Sequence, residues 1–186
     1  MRLLAHLPIL LSKNPVRKVG VVGFGLGVAA GSATLYPEVE SVDVMEISPA
    51  VIWASPLFDF ANYEVTKNPK VRIRLGDAYR ALLSSHRRYS VILSEPSNPW
   101  VTGVERLFSK EFYSLVKDKL ERGGIYAQWI HEYSISEETL GLVLRTFSQS
   151  FRNVRIFRVG RDVILLGSSE EINLESLLRM ESRYAE

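Results

Sequence analysis

The chain has 186 residues, 46% of them hydrophobic, and a formal net charge of +2. That length suits one domain with a sizeable core, and so small an excess of charge leaves no electrostatic footprint for nucleic acid. The absence of cysteine excludes disulfides and thiolate metal sites, and His6, His86 and His131 stand too far apart in sequence for a metal-ligand pattern, so no metal is expected.

Residues 1–11 are apolar, with six Leu or Ile and only Arg2 and His6 as chargeable side chains. The run is shorter than a bilayer-spanning helix and has no small-residue cleavage site, so a cytoplasmic chain without a membrane segment is expected. A short helix over 3–11, closed by Asn14-Pro15, fits instead. Its apolar surface is expected to seek cover from a second copy, making a homodimer, or from a missing lobe.

Residues 19–22 read as a buried strand, and they run into three alternating glycines, Gly23, Gly25 and Gly27. The stretch 28–35 reads as a helix. Glycines suit that junction because the backbone must turn sharply and let a ligand close to the main chain. Residues 41–45 form a second strand ending at Glu46. An acid roughly twenty positions after the glycines, at the tip of strand two, is placed to accept hydrogen bonds from ribose hydroxyls. Val28 stands where the dinucleotide fingerprint G-x-G-x-x-G requires its third glycine. G-x-G-x-G with a strand-two carboxylate is commoner in S-adenosylmethionine-binding folds, and a nucleoside-type ligand is expected.

Ser48-Pro49 starts a helix with a cap and a first-turn proline, and Pro56 is placed to break it. Trp53 is expected in the core. Residues 71–75 make a third strand, with Arg72 and Arg74 alternating against Val71, Ile73 and Leu75. Gly76-Asp77-Ala78 then opens a helix to Leu83. Asp77 reads either as its N-cap or as a carboxylate meeting the amino edge of an adenine. Strand four, 89–93, enters the stiff polar loop Ser94-Glu95-Pro96-Ser97-Asn98-Pro99-Trp100 at the sheet edge where open α/β folds bind ligands. An amphipathic helix over 109–120 has Ser109 as its cap and Arg122-Gly123-Gly124 as its stop. Strand five (125–130), a helix (137–151), a hairpin (154–159 and 163–166 around Gly160-Arg161) and a last helix (173–180) follow. The pattern predicts an α/β, doubly wound, Rossmann-like fold over residues 1–186. Its sheet is seven-stranded and mostly parallel, with an antiparallel C-terminal hairpin. Gly23, Gly25, Glu46, Asp77 and Glu95 are expected to converge on one pocket.

The loop Ser94-Glu95-Pro96-Ser97-Asn98-Pro99, followed by Glu105-Arg106-Leu107-Phe108-Ser109-Lys110-Glu111-Phe112-Tyr113, resembles the polyamine aminopropyltransferases, the spermidine synthase family. Leu4-Ala5-His6-Leu7-Pro8 with Asn14-Pro15 resembles that family's segment before its first Rossmann strand. The likeness covers about residues 3 to 135. It is closest to bacterial spermidine-synthase-like proteins, some fused to membrane segments, where Glu-Pro-Ser-Asn-Pro-Trp and Gln128-Trp129 are typical. It implies a methyltransferase-like domain lacking most of the family's preceding N-terminal β lobe. It implies that Gly23, Gly25, Gly27, Glu46, Ile47, Asp77 and Ala78 bind the nucleoside co-substrate, Glu46 at the ribose and Asp77 at the adenine. Glu95 falls where the family has its base, an Asp, and Asn98, Trp100 and Gln128 fall on the acceptor side. Leu26 stands where the family has an Asp for the aminopropyl ammonium, and Asn98 replaces a second loop Asp. The nucleoside half is intact and the amine half is altered.

Three readings follow. The first is transfer of an aminopropyl group from decarboxylated S-adenosylmethionine to a small amine such as putrescine. The second is methyl transfer from S-adenosylmethionine itself, since Leu26 offers no acid to repel the methionine carboxylate. The third is a non-catalytic module that binds a nucleoside or another chain. A dinucleotide reductase ranks behind them, and a shared fold does not fix the chemistry.

Overall fold

The computed structural model describes residues 1–97, 99–133 and 135–175. Seven strands form one sheet: β1 Lys18–Val22, β2 Ser41–Glu46, β3 Val71–Leu75, β4 Tyr89–Ser94, β5 Leu120–His131, β6 Asn153–Val159 and β7 Asp162–Ser168. Their spatial order is β3-β2-β1-β4-β5-β7-β6. The first five are parallel, and β7 runs antiparallel to both β5 and β6. This is the doubly wound sheet expected from the alternation, with β7 as the reversed strand. The strand order switches direction between β1 and β4, which opens a crevice beyond their C-terminal ends.

Helices cover both faces. On one side lie α1 Arg2–Leu11, α2 Val28–Thr34 and the short α3 Pro49–Ala54 and α4 Asp59–Asn62; on the other lie α5 Ala78–Ser84, α6 Lys110–Lys119 and α7 Glu137–Ser150. All of β4 is buried, as a central strand covered on both faces must be. The second face is aromatic: Tyr126 stacks on Phe147 and Phe151 with ring planes 22° and 20° apart, and Tyr113 meets Phe147 edge-on.

Three expectations are corrected here. The apolar N-terminal segment does not await a partner: Leu4, Ala5, Leu7, Ile9 and Leu11 are buried against α2, β4 and β5 of the same chain. Its hydrophobic face is spent inside the fold, so it supplies no argument for a dimer. Trp53 is 80% exposed rather than in the core. Val51 and Ile52 are the residues of α3 that pack inward, and the next residue, some 100° further round the helix, faces out. The chain continues from α3 into a 3₁₀ turn, Ser55–Phe58, because Pro56 offers no N–H to an α-helix. Finally, Arg122-Gly123-Gly124 does not stop α6, which ends at Lys119. The triplet lies within β5, where Tyr89 pairs with Leu120 and Val91 with Ile125, so extra residues bulge out around Gly123 at φ +74°. The expected helix over 173–180 lies outside the described residues from 176 onward.

The docking of α4 on α2 positions the glycine turn. A Cβ on Gly31 would sit 1.9 Å from the Asn62 carbonyl oxygen. The buried Asn62 amide in turn donates to the Leu26 carbonyl at 3.0 Å and to the Ser55 carbonyl at 3.1 Å. Gly31→Ala is therefore expected to cost about 1–3 kcal/mol by overpacking, lowering the midpoint of thermal denaturation by roughly 2–4 °C per kcal/mol. A midpoint within 1 °C of wild type would show that the helices part without cost.

Candidate functional site

Strand β1 ends at Val22 and the chain turns through Gly23, Gly25 and Gly27, at φ +79°, +53° and +78°. These are left-handed conformations that side chains resist. Gly23 has a second reason to be glycine: a Cβ there would meet the Glu95 carbonyl oxygen at 2.7 Å. The sheet's ladder runs on past the strand ends, with Gly23 N–H donating to the Met45 carbonyl at 2.9 Å and Glu95 N–H to the Val22 carbonyl at 2.8 Å.

Glu46, at the tip of β2, is 7% exposed. Its Oε2 accepts the Phe24 N–H at 2.8 Å and its Oε1 the Ser48 N–H at 2.7 Å. Each carboxylate oxygen has a further lone pair, so both can still accept from a ligand hydroxyl. Asp77 Oδ1 accepts the Arg80 N–H at 2.8 Å and caps α5. The same residue lines the cavity, so its two expected roles are compatible in one place.

Gly23, Gly25, Glu46, Ile47, Asp77, Ala78 and Glu95 all border one cavity of about 510 Å³. That volume is in the range of small-molecule sites. Glu95 stands at its inner end, 9% exposed, and its Oε1 has no hydrogen-bond partner among the described residues. Burial pushes its carboxyl up to about 8; the Met1 ammonium opposes that shift and the Glu46 carboxylate adds to it. Beyond Glu95 lies a second cavity of about 470 Å³, walled by Met1, Leu26, Trp129, His131, Tyr133 and Asp162. Gly25, Glu95, Pro96 and Ser97 line both cavities. Glu95 is thus part of the lining that the two chambers share.

Other expected site residues fall elsewhere. Gln128 is fully buried and lines neither cavity; its Oε1 accepts the Tyr113 hydroxyl at 2.7 Å and its Nε2 donates to the Leu107 carbonyl at 3.1 Å. The two ends of its amide tie α6 and the Glu105–Phe108 turn to β5. Trp100 is 43% exposed and meets Tyr133 edge-on, outside both cavities. Gly27 lines neither; it starts α2 where a Cβ would meet the Phe24 ring at 2.6 Å. Asn98 lies outside the described residues. Conversely, Tyr79, Thr102 and Arg106 line the first cavity without having been read from sequence. The Arg106 guanidinium stands 5.1 Å over the Tyr79 ring, and no local pattern marks such a contact between a 3₁₀ turn and α5. Among the described residues no group of three or more His, Cys, Asp or Glu is placed to hold a metal, and no helix is long and apolar enough to cross a membrane.

A family model for the spermine/spermidine synthase domain matches residues 1–160. The spermidine synthase of Dictyostelium discoideum is 32% identical over 135 residues, which is 69% of this chain and 46% of that protein. Among solved structures, a spermidine synthase in complex with the transition-state analogue AdoDATO superposes with a TM-score of 0.83 at 20% identity, over 94% of this chain and 62% of that one. Human methyltransferase-like protein 13 in complex with SAH gives 0.70 at 18% identity, over 96% and 84%. The structural likenesses are of fold, and the chain spans about half the length of the curated relatives it matches.

A carboxyl held at about 8 in the fold and near 4.5 when unfolded takes up a proton on folding between those pH values. Stability from this residue is complete below pH 4.5 and is lost as pH rises toward 8, by at most about 5 kcal/mol. Glu95→Gln removes that loss. Its thermal midpoint is expected to match wild type near pH 4.5 and to exceed it by at least about 4 °C at pH 8.5. Parallel melting curves at all pH values would show that Glu95 is ionised in the fold.

Proposed function

Because the chain belongs to the spermine/spermidine synthase family, we propose that it is a transferase that moves an aminopropyl group from decarboxylated S-adenosylmethionine to a small polyamine such as putrescine. The observation that carries this reading is Glu95 in the wall between two cavities. One chamber is bordered by the glycine turn and the Glu46 and Asp77 carboxylates, which suits a nucleoside. The other is bordered by aromatic rings and Asp162, which suits an alkyl ammonium. That a spermidine synthase of this fold has been captured with AdoDATO supports a decarboxylated co-substrate.

In this reading the ribose hydroxyls donate to Glu46, and the base lies along Asp77 and Ala78. The sulfonium end then passes Gly25 toward Glu95. The acceptor amine approaches from the second cavity. Its nitrogen lone pair forms a bond to the carbon next to sulfur. The C–S bond breaks, and sulfur keeps the electron pair as a neutral thioether. The nitrogen, briefly an ammonium, passes its surplus proton to the Glu95 carboxylate. The leaving group needs no help, so the protein contributes position, and a base matched to the proton. A carboxyl lifted to about 8 is a much better proton acceptor than one in water. A bound sulfonium beside it favours the ionised form that the reaction needs.

Methyl transfer is the second reading, and Leu26 favours it. That side chain borders the second cavity and is 49% exposed. Without an acid on the glycine turn, nothing there repels the carboxylate of ordinary S-adenosylmethionine, and Glu95 is already engaged as the base.

Two outcomes are expected. The kcat/KM for aminopropyl transfer rises with pH as Glu95 loses its proton, levelling off above about 8. The kcat limb lies at lower pH, because the bound sulfonium stabilises the carboxylate. Glu95→Gln abolishes the limb and lowers kcat by roughly 10²–10⁴-fold; a Gln variant with wild-type kcat would remove Glu95 from the mechanism. In calorimetric titrations, decarboxylated and ordinary S-adenosylmethionine should differ in affinity by less than tenfold, or about 1.4 kcal/mol. Leu26→Asp should widen the gap in favour of the decarboxylated form. A strong wild-type preference for the ordinary form would transfer the assignment to methyl transfer.

A further inference from the structure

The second cavity contains an acid that the transfer step does not use. Asp162 is the first residue of β7 and lines the chamber on the side away from Glu95. Its side chain is 38% exposed, and its one ionic neighbour among the described residues is His131, with Nε2 at 3.8 Å from Oδ1. That distance is too long for a hydrogen bond. The ring is also committed elsewhere: Nδ1 accepts the Tyr133 backbone N–H at 3.0 Å. With Nδ1 taken, Nε2 is the ring nitrogen that faces Asp162. Nearby, Arg158 is paired with Glu132 at 2.7 Å. The Asp162 carboxylate thus has no arginine or lysine partner among the described residues.

Sheet register sets the spacing of the two acids. Ser94, just before Glu95, pairs with Gln128 on β5, and Asp162 pairs with His131 on the same strand. Glu95 and Asp162 are thus two strands apart, roughly 10 Å laterally. Trp129, His131 and Tyr133 lie between them, with successive ring centroids 5.8 and 4.4 Å apart. An aromatic wall with a carboxylate at each end matches an alkyl chain with a nitrogen at each end.

We propose that Asp162 holds the non-reacting ammonium of a diamine acceptor while the other nitrogen faces Glu95, and that this contact makes the site select diamines over monoamines. The proposal rests on the aminopropyl reading above. Glu95 takes a proton from the nitrogen that reacts, whereas Asp162 meets a nitrogen that stays charged throughout. Its contribution is equal in the ground and transition states and falls on KM.

The test compares 1,4-diaminobutane with 1-aminobutane, using the 186-residue chain and its Asp162→Asn and Asp162→Glu variants. With decarboxylated S-adenosylmethionine as donor, Asp162→Asn should raise KM for the diamine at least tenfold. Its kcat should stay within threefold, and the monoamine kinetics should be unchanged. Asp162→Glu should restore most of the diamine preference. A ratio of diamine to monoamine kcat/KM that Asp162→Asn leaves within twofold overturns the proposal. Both amines are also titrated calorimetrically into each protein with 5′-deoxy-5′-methylthioadenosine present. If the wild-type chain transfers nothing, the aminopropyl reading fails, but the titration still decides on Asp162. A tenfold loss of diamine affinity in the Asn variant upholds the contact. An unchanged affinity, or no diamine binding to wild type, overturns it.

Discussion

The C-terminal edge of the sheet depends on one buried carboxylate. Glu46 is charged chemistry placed where water is scarce, and such a group persists only when its oxygens are met. Two backbone N–H groups meet them, from Phe24 on the glycine turn and Ser48 at the start of the next helix. The same two bonds fix the path of both connections. Around this pivot the main-chain ladder continues outward, Gly23 to Met45, Gly76 to Glu46 and Glu95 to Val22. The three loops therefore leave the sheet as extensions of it, and a site built from them inherits its rigidity.

Glu46 and Glu95 show how environment separates two identical side chains. Both are nearly buried and both border the same cavity. One has its oxygens met by main-chain donors, whereas the other has an oxygen with no donor among the described residues. The first is a fixture of the fold. The second is a local cost, tolerated because the rest of the core is well packed.

Much of this was legible in the chain because local rules and the global fold agree. Apolar runs alternating with amphipathic stretches specify the parallel sheet, and glycines before a strand-two acid mark the edge where the first cavity lies. What failed to show was decided by distant contacts. The Arg-Gly-Gly triplet has the composition of a helix stop, and only its pairing with β4 turns it into a bulge. The apolar first helix announces a face but not what covers it, and β4, β5 and α2 supply that cover from residues far along the chain. Trp53 is as apolar as a core residue, yet the short helix ending near Pro56 turns it outward. Gln128 carries the right chemistry for a substrate contact, but Tyr113 and the Leu107 carbonyl have already claimed it. Asp162 sits in what reads as a plain hairpin turn, and it reaches the chamber only because β7 lies beside β5.

The placement of that reversed strand has a consequence for how the molecule comes together. β6 precedes β7 in the chain but lies outside it, and it joins the sheet only through β7. As the polypeptide leaves the ribosome, β5 therefore presents an unpaired edge while α7 and β6 emerge, and neither can close it. Only when the segment Asp162–Ser168 is released can it slot in as the keystone of that flank. Until then the nascent chain carries an open, apolar strand border of the kind on which neighbouring chains assemble.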